Sequence, residues 1–140
     1  ADSVYWQIAK HLAIEDKLRS LNRNVAIQGE LVGESIQGNK LKLKGNSAFF
    51  FTLFWIDEYK YAGYDEWKEV FGVTGLETVP VLERCFVLVD DIDVLLKMAE
   101  RKSVLNTDVL AEGIVIRVKK ADALISFKAI NNKFLLSYDE

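Results

Sequence analysis

The sequence predicts an α+β fold with largely antiparallel sheets and flanking helices. Three observations carry that expectation: an amphipathic helical stripe at the start, several runs with strand periodicity, and no regular strand–helix–strand alternation of the kind that parallel pairing needs. A length of 140 residues suits a single domain, and a chain that is half apolar can bury a core instead of remaining disordered.

Residues 3–21 read as one amphipathic helix. Val4, Ile8 and Leu12 recur at helical spacing, as do Tyr5, Ala9 and Ala13, and Leu18 and Leu21 prolong the stripe. Ser3 suits its N-cap, and His11 within it is assigned no chemistry. Residues 22–24 break the pattern, and the period then becomes two. Val25, Ile27, Gly29 and Leu31 share one face, and Ala26, Gln28, Glu30 and Val32 share the other. Gly33, Gly38 and Asn39 mark a turn, residues 40–44 alternate lysine with leucine like an exposed strand, and Gly45-Asn46 is a second turn signal. Residues 49–57 form a β-prone, mostly buried run. A short helix is expected between Tyr64 and Gly72, ending at that glycine, and Pro80 falls in a connecting stretch. Asp90 or Asp91 caps a further helix carrying Val94, Leu95, Met98 and Ala99 that stops near residues 102–103. Strands at 112–119 and 124–129 follow, and a short helix near 131–136 closes the chain.

Composition excludes several classes. The longest apolar run, residues 48–56, falls far short of the roughly 20 residues that a membrane helix requires. The first residues lack the basic and apolar regions of a secretory signal. A lone cysteine, Cys85, makes no internal disulfide; it reads as a buried small hydrophobe in a reducing, cytoplasmic setting. The net charge of −3 does not announce a nucleic-acid binder, so any RNA contact falls to a local patch. Arg117, Lys119 and Lys120, with Lys128 and Lys133 further on, form the one cluster of note, equally consistent with a solvated strand end.

Four segments in order point to chemistry. They are Gln28-Gly29-Glu30-Leu31-Val32-Gly33, Phe51-Thr52-Leu53-Phe54-Trp55-Ile56, Glu112-Gly113-Ile114-Val115-Ile116-Arg117 and Ser126-Phe127-Lys128-Ala129-Ile130-Asn131. From about Asn24 onward this series resembles the covalent nucleotidyltransferase superfamily of ligases and capping enzymes, and within it the ATP-dependent RNA ligases. The Gly-Glu-Leu segment, Ile36-Gln37-Gly38-Asn39 and the run from Phe127 to Asn132 are similar to a bacterial and viral branch. The resemblance implies a partial adenylation domain, with residues 1–140 as the C-terminal major part of one adenylyltransferase domain. It also implies ATP and AMP as cofactors with Mg²⁺ or Mn²⁺, and RNA ends as partners.

In that family a lysine attacks the α-phosphate of ATP, AMP passes to an RNA 5′-phosphate, and a 3′-hydroxyl displaces AMP to seal the strand. Each step develops negative charge at phosphorus, which calls for cations and positioning. Carried over residue by residue, Glu112 stands at the metal-binding position, a hard oxygen ligand suited to Mg²⁺ or Mn²⁺. Lys128 stands at the position of the lysine that meets the α-phosphate; Glu112 and Lys128 are thus the catalytic pair. Glu30 stands at the glutamate that meets the ribose or assists the metal. Its strand face makes a wholly exposed position unexpected. Phe54 stands at the aromatic that stacks on adenine, although four phenylalanines between 49 and 54 are also candidates for the core. Arg117 stands at a basic position that meets phosphate. It has opposite strand parity to Glu112, so the two share a site only if the strand twists or bulges. Phe127 and Ala129 are expected to be buried, with Lys128 on the opposite face.

Departures from the family pattern limit what the chain is expected to do alone. Nothing between Ala1 and Asn24 matches the Lys-x-Asp-Gly motif of the nucleophile, and Lys42-Leu43-Lys44-Gly45 lacks its acidic residue and lies downstream of Glu30. An upstream N-terminal segment of the same protein is therefore an expected partner, and the chain by itself is expected not to ligate. Trp55 replaces a usual aspartate or asparagine, expected to remove a polar group near the nucleotide, and Ile130 replaces a second lysine of some relatives. The competing readings are a DNA ligase or capping enzyme, and a non-catalytic nucleotide- or RNA-binding module on the same scaffold.

Overall fold

The computed structural model describes residues 3–121 and 123–138. Two antiparallel sheets form the α+β frame. The first has the order β1 (Val25–Gly33), β2 (Asn46–Trp55), β3 (Lys60–Tyr61), and the second is the hairpin of β4 (Gly113–Lys120) and β5 (Ala123–Ile130). Helices α1 (Val4–His11), α2 (Ile14–Arg19), α3 (Tyr64–Thr74), α4 (Ile92–Ala99) and α5 (Asn132–Tyr138) flank them.

The first sheet owes its stability to one densely packed face. Ile8, Ala48, Phe50, Leu53, Trp55, Phe71 and Leu76 are buried together, with Val25, Ile27 and Leu31 of β1 packed against them. Leu53 is 2% exposed; burial of such a side chain contributes about 2 kcal/mol. Phe50 and Leu53 lie three apart yet both face this core, because the β1–β2 register slips between Gln28 and Gly29. The extra residue, Phe51, is a β-bulge that reverses the parity of β2. Phe49, Thr52 and Phe54, opposite Glu30, Gln28 and Ala26, consequently line the outer face.

The second sheet is more sparsely covered. Ile114 of β4 and Ala129 of β5 pack on Leu95 and Ala99 of α4, with Ile116 and Phe86 at the margin.

Several elements differ from the sequence expectation. The first helix breaks in two, because Ala13 adopts a left-handed conformation (φ 50°) that swings α2 so that Ile14 and Leu18 also reach the core. Residues 40–44 form a loop instead of a strand. The Asn39 side chain both donates to the Leu43 carbonyl (2.9 Å) and accepts from the Leu43 N–H (3.0 Å), satisfying locally what a ladder would have used. β2 starts three residues early, at the partner of Gly33, and stops at Trp55 before a turn over 56–59. Helix α3 runs through Gly72 and ends at Gly75, whose φ of 68° supplies the left-handed cap. Helix α4 stops at Ala99, short of residues 102–103. Cys85 is exposed, not buried.

Candidate active site

Cross-strand register decides which side chains of the second sheet share a face. Val115 lies opposite Lys128, and Arg117 opposite Ser126. Lys128 and Arg117 thus project from one face, and Ile114, Ile116 and Ala129 from the other, against α4. Glu112 stands one residue before β4, outside its alternation, and its carboxylate accepts from Lys128 Nζ at 2.5 Å. The parity conflict between Glu112 and Arg117 is resolved by that placement, not by a bulge in β4. Phe127, expected to be buried, is 42% exposed, whereas Ala129 is buried as expected.

Arg117 ties the two sheets together. Its guanidinium donates to the Phe51 carbonyl and to Thr52 Oγ1 (2.9 Å), and it lies 5.3 Å from the Phe51 ring centroid. The bulge at Phe51 turns these acceptors toward β4. Burial pulls the Arg117 guanidinium below its ordinary pKa, with the Tyr61 phenol acting weakly the other way. Arg117 therefore places the Glu112–Lys128 face over the outer face of the first sheet, the face that carries Phe54. Phe54 is half-buried, edge-on to Tyr59 (5.4 Å) and Tyr61 (5.0 Å).

Glu30 shares that outer face but stands apart. It is exposed, contrary to the expectation, and its side chain makes no hydrogen bond or ion pair among the described residues. β1 is an edge strand, and at Glu30 it is open to solvent on its unpaired side. Glu30 lines a groove of about 370 Å³ with Tyr5, Gly29, Leu31, Ile36 and Gln37. Glu112 and Lys128 do not line it. A second, polar groove of about 290 Å³ lies at Arg19, Asn22, Arg23, Asn24 and Asp57.

Two motif glycines sit where strands cross too closely for a side chain. A Cβ at Gly113 would fall on the Ala129 carbonyl oxygen, and one at Gly29 would meet Phe50 Cδ1 at 2.7 Å and the Phe49 carbonyl at 2.8 Å. Each glycine sets the strand spacing next to its acidic neighbour, Glu112 or Glu30.

Trp55 does not face the site. Its ring is buried in the core, its Nε1–H donates to Glu66 (2.7 Å), and Arg23 stacks 3.4 Å over it. The exchange of a polar residue for Trp55 therefore changes the core face, opposite Phe54. Sequence reasoning missed Thr52 and Tyr61 as site neighbours. Tyr61 sits on β3, a two-residue strand with no periodicity to detect, and Thr52 reaches the site only through the bulge.

The donor set would suit a divalent cation that takes few protein ligands. Among the described residues no cluster of three His, Cys, Asp or Glu side chains forms a cage. Mg²⁺-type sites commonly rest on one or two carboxylates with waters and substrate phosphates supplying the rest, and Glu112 is the carboxylate of this site that could hold such an ion.

The fold is shared with known proteins. Naegleria gruberi RNA ligase, in a structure with AMP and Mn, superposes with a TM-score of 0.85 at 34% identity, over 99% of this chain and 42% of that one. The same enzyme with ATP and Mn gives 0.83 at 37% identity, over 95% and 40%. With PPi it gives 0.84 at 34%, over 99% and 42%. The chain thus spans about two fifths of the solved ligase chains that it matches. No curated protein matched in a separate search. The RNA ligase family profile covers residues 1–130, and the chain belongs to the RNA ligase family.

Proposed function

We propose that this chain forms part of the adenylyltransferase core of an ATP-dependent RNA ligase that joins RNA 5′-phosphate and 3′-hydroxyl ends. The observation that carries the reading is the Glu112–Lys128 pair, set by Arg117 over the face that bears Phe54. Lys128 offers its ammonium to an α-phosphate oxygen, offsetting the charge that develops as phosphorus is attacked. Glu112 holds a divalent ion, which when bound supplies further positive charge at the phosphates. Phe54 stacks on the adenine beside Tyr59 and Tyr61, and Glu30 meets the ribose. Two of the Arg117 nitrogens are taken by protein acceptors, which leaves its remaining N–H groups for phosphate.

Three displacements make up the reaction. A lysine amine attacks the α-phosphorus and pyrophosphate leaves. An RNA 5′-phosphate oxygen then displaces the lysine from AMP, and a 3′-hydroxyl finally displaces AMP as the phosphodiester forms. The nucleophilic lysine is proposed to come from an N-terminal segment outside residues 1–140. Lys42, the nearest match within them, sits in a loop whose backbone carbonyls accept from Asn106 and has no acidic residue two positions on. An intracellular location is supported by the use of ATP and by the single exposed thiol, Cys85. No helix among the described residues is long and apolar enough to cross a membrane.

Incubation with α-labelled ATP and metal tests the reading. A polypeptide joining residues 1–140 to a Lys-x-Asp-Gly segment should take up label and seal nicked RNA, whereas residues 1–140 alone should not. Label on the chain alone, or no label on the joined polypeptide, would overturn it. A nicked all-DNA duplex sealed as well as RNA would favour the DNA-ligase reading instead.

A further inference from the structure

We infer that Asn131 is the positioning residue for Glu112. The inference rests on the reading of Glu112 as a metal ligand. Among the described residues Asn131 is the one fully buried polar residue next to the site, at 0% exposure. Its bonds go to both residues that lead into β4. The Asn131 backbone N–H donates to the Glu112 carbonyl at 2.8 Å, and Asn131 Nδ2 donates to the Ala111 carbonyl at 2.9 Å. The other side-chain atom, Oδ1, accepts from the Lys133 N–H at 3.0 Å, so the same amide caps α5.

Glu112 needs this hold. It lies outside the β4–β5 ladder, whose last pair is Gly113 with Ile130. No strand partner fixes its backbone, and the carboxylate is 48% exposed, with Lys128 as its polar contact. Asn131 continues the ladder by one rung with its main chain and adds a second with its side chain. It thereby turns the last residue of the lysine motif into the clamp for the residue that opens the glutamate motif. Both side-chain roles need an amide: an aspartate keeps the acceptor that caps α5 but cannot donate to Ala111. Serine also caps a helix but is too short to span to Ala111.

The test is the affinity for Mn²⁺ in the presence of AMP, read on the folded chain from loss of the free-ion electron paramagnetic resonance signal. Asn131→Asp should weaken Mn²⁺ binding about tenfold, the scale of lost support behind a metal ligand. Asn131→Ser should do the same if the aspartate variant does not fold. Leu95→Ala, in the apolar cluster behind the same hairpin, should lower the melting midpoint yet leave Mn²⁺ affinity at the wild-type value. Glu112→Gln should abolish binding. Loss in Glu112→Gln with no change in the Asn131 variants would overturn the inference alone. An equal loss in Leu95→Ala would also overturn it, reducing Asn131 to a folding residue. Binding unchanged in Glu112→Gln, or none in the wild type, would overturn the metal-site reading and the inference with it.

Discussion

The two sheets divide the labour unequally. The first rests on a continuous core that includes Phe50, Leu53, Trp55 and Phe71, and it contributes a shaped surface: Phe54, Tyr61 and the open edge at Glu30. The second is a two-stranded hairpin on one helix, and it carries the charged pair of the candidate site, Glu112 and Lys128. Apolar side chains on the hairpin, Val118, Ile125 and Phe127, remain substantially exposed. A two-stranded ribbon is marginal in water by itself. Here it is held by α4, by Asn131 and by the Arg117 bridge to β2. The charged pair of the candidate site therefore sits on the less massive half, steadied by a few specific polar contacts.

Five changes would break or sharpen this contrast. The largest effect is expected at the charged pair. Glu112→Gln or Lys128→Met, in a polypeptide competent for adenylylation, should lower the rate about 100-fold or more, while the melting midpoint stays near wild type because the pair is partly exposed. Leu53→Ala should act the other way round, costing about 2–5 kcal/mol of global stability in denaturant unfolding by opening a cavity in the first core. Gly113→Ala should cost about 1–3 kcal/mol and raise hydrogen exchange in β4 and β5 more than in β2, since a Cβ there strikes backbone. Trp55→Phe should cost about 1–2 kcal/mol in the same unfolding assay by removing the bond to Glu66 and leaving that acceptor unpaired. The smallest effect is expected at Glu58, whose carboxyl is held below its ordinary pKa by hydrogen bonds from Lys60 and Arg23. A depressed carboxylate contributes stability above its unfolded pKa and loses it as pH falls through the folded value. Glu58→Gln should therefore slightly lower stability at neutral pH and flatten the acid limb, the two stability–pH curves converging below the folded pKa. An acid limb identical to wild type would count against the ion pair.

Much of the first sheet was legible because its β1 face alternates without interruption, and Ser3 and Asp91 cap helices as their residue types suggest. The bulge at Phe51 was not legible. In a run of phenylalanines either face reads as apolar, so a one-residue slip leaves no trace in the pattern. The kink at Ala13 likewise carries no glycine or proline to announce it. Around the site, the motifs identified Glu112 and Lys128 and the register brought them together. The burial expected for Glu30 failed because β1 is an edge strand, a property of sheet order that no single segment encodes. The role of Arg117 as a bridge depends on a carbonyl and a hydroxyl some 65 residues away, beyond any local signal.

The mutual pairing of Glu112 and Lys128 makes their corner of the protein electrically neutral at rest. The standing positive charge that a polyanion meets on that face is that of Arg117, whose acceptors are a carbonyl and a hydroxyl, and a whole-chain charge of −3 adds mild repulsion at long range. On the proposed reading, a cation held by Glu112 would compete with Lys128 for the same carboxylate, so one ion pair would tie metal binding to the freedom of the lysine ammonium.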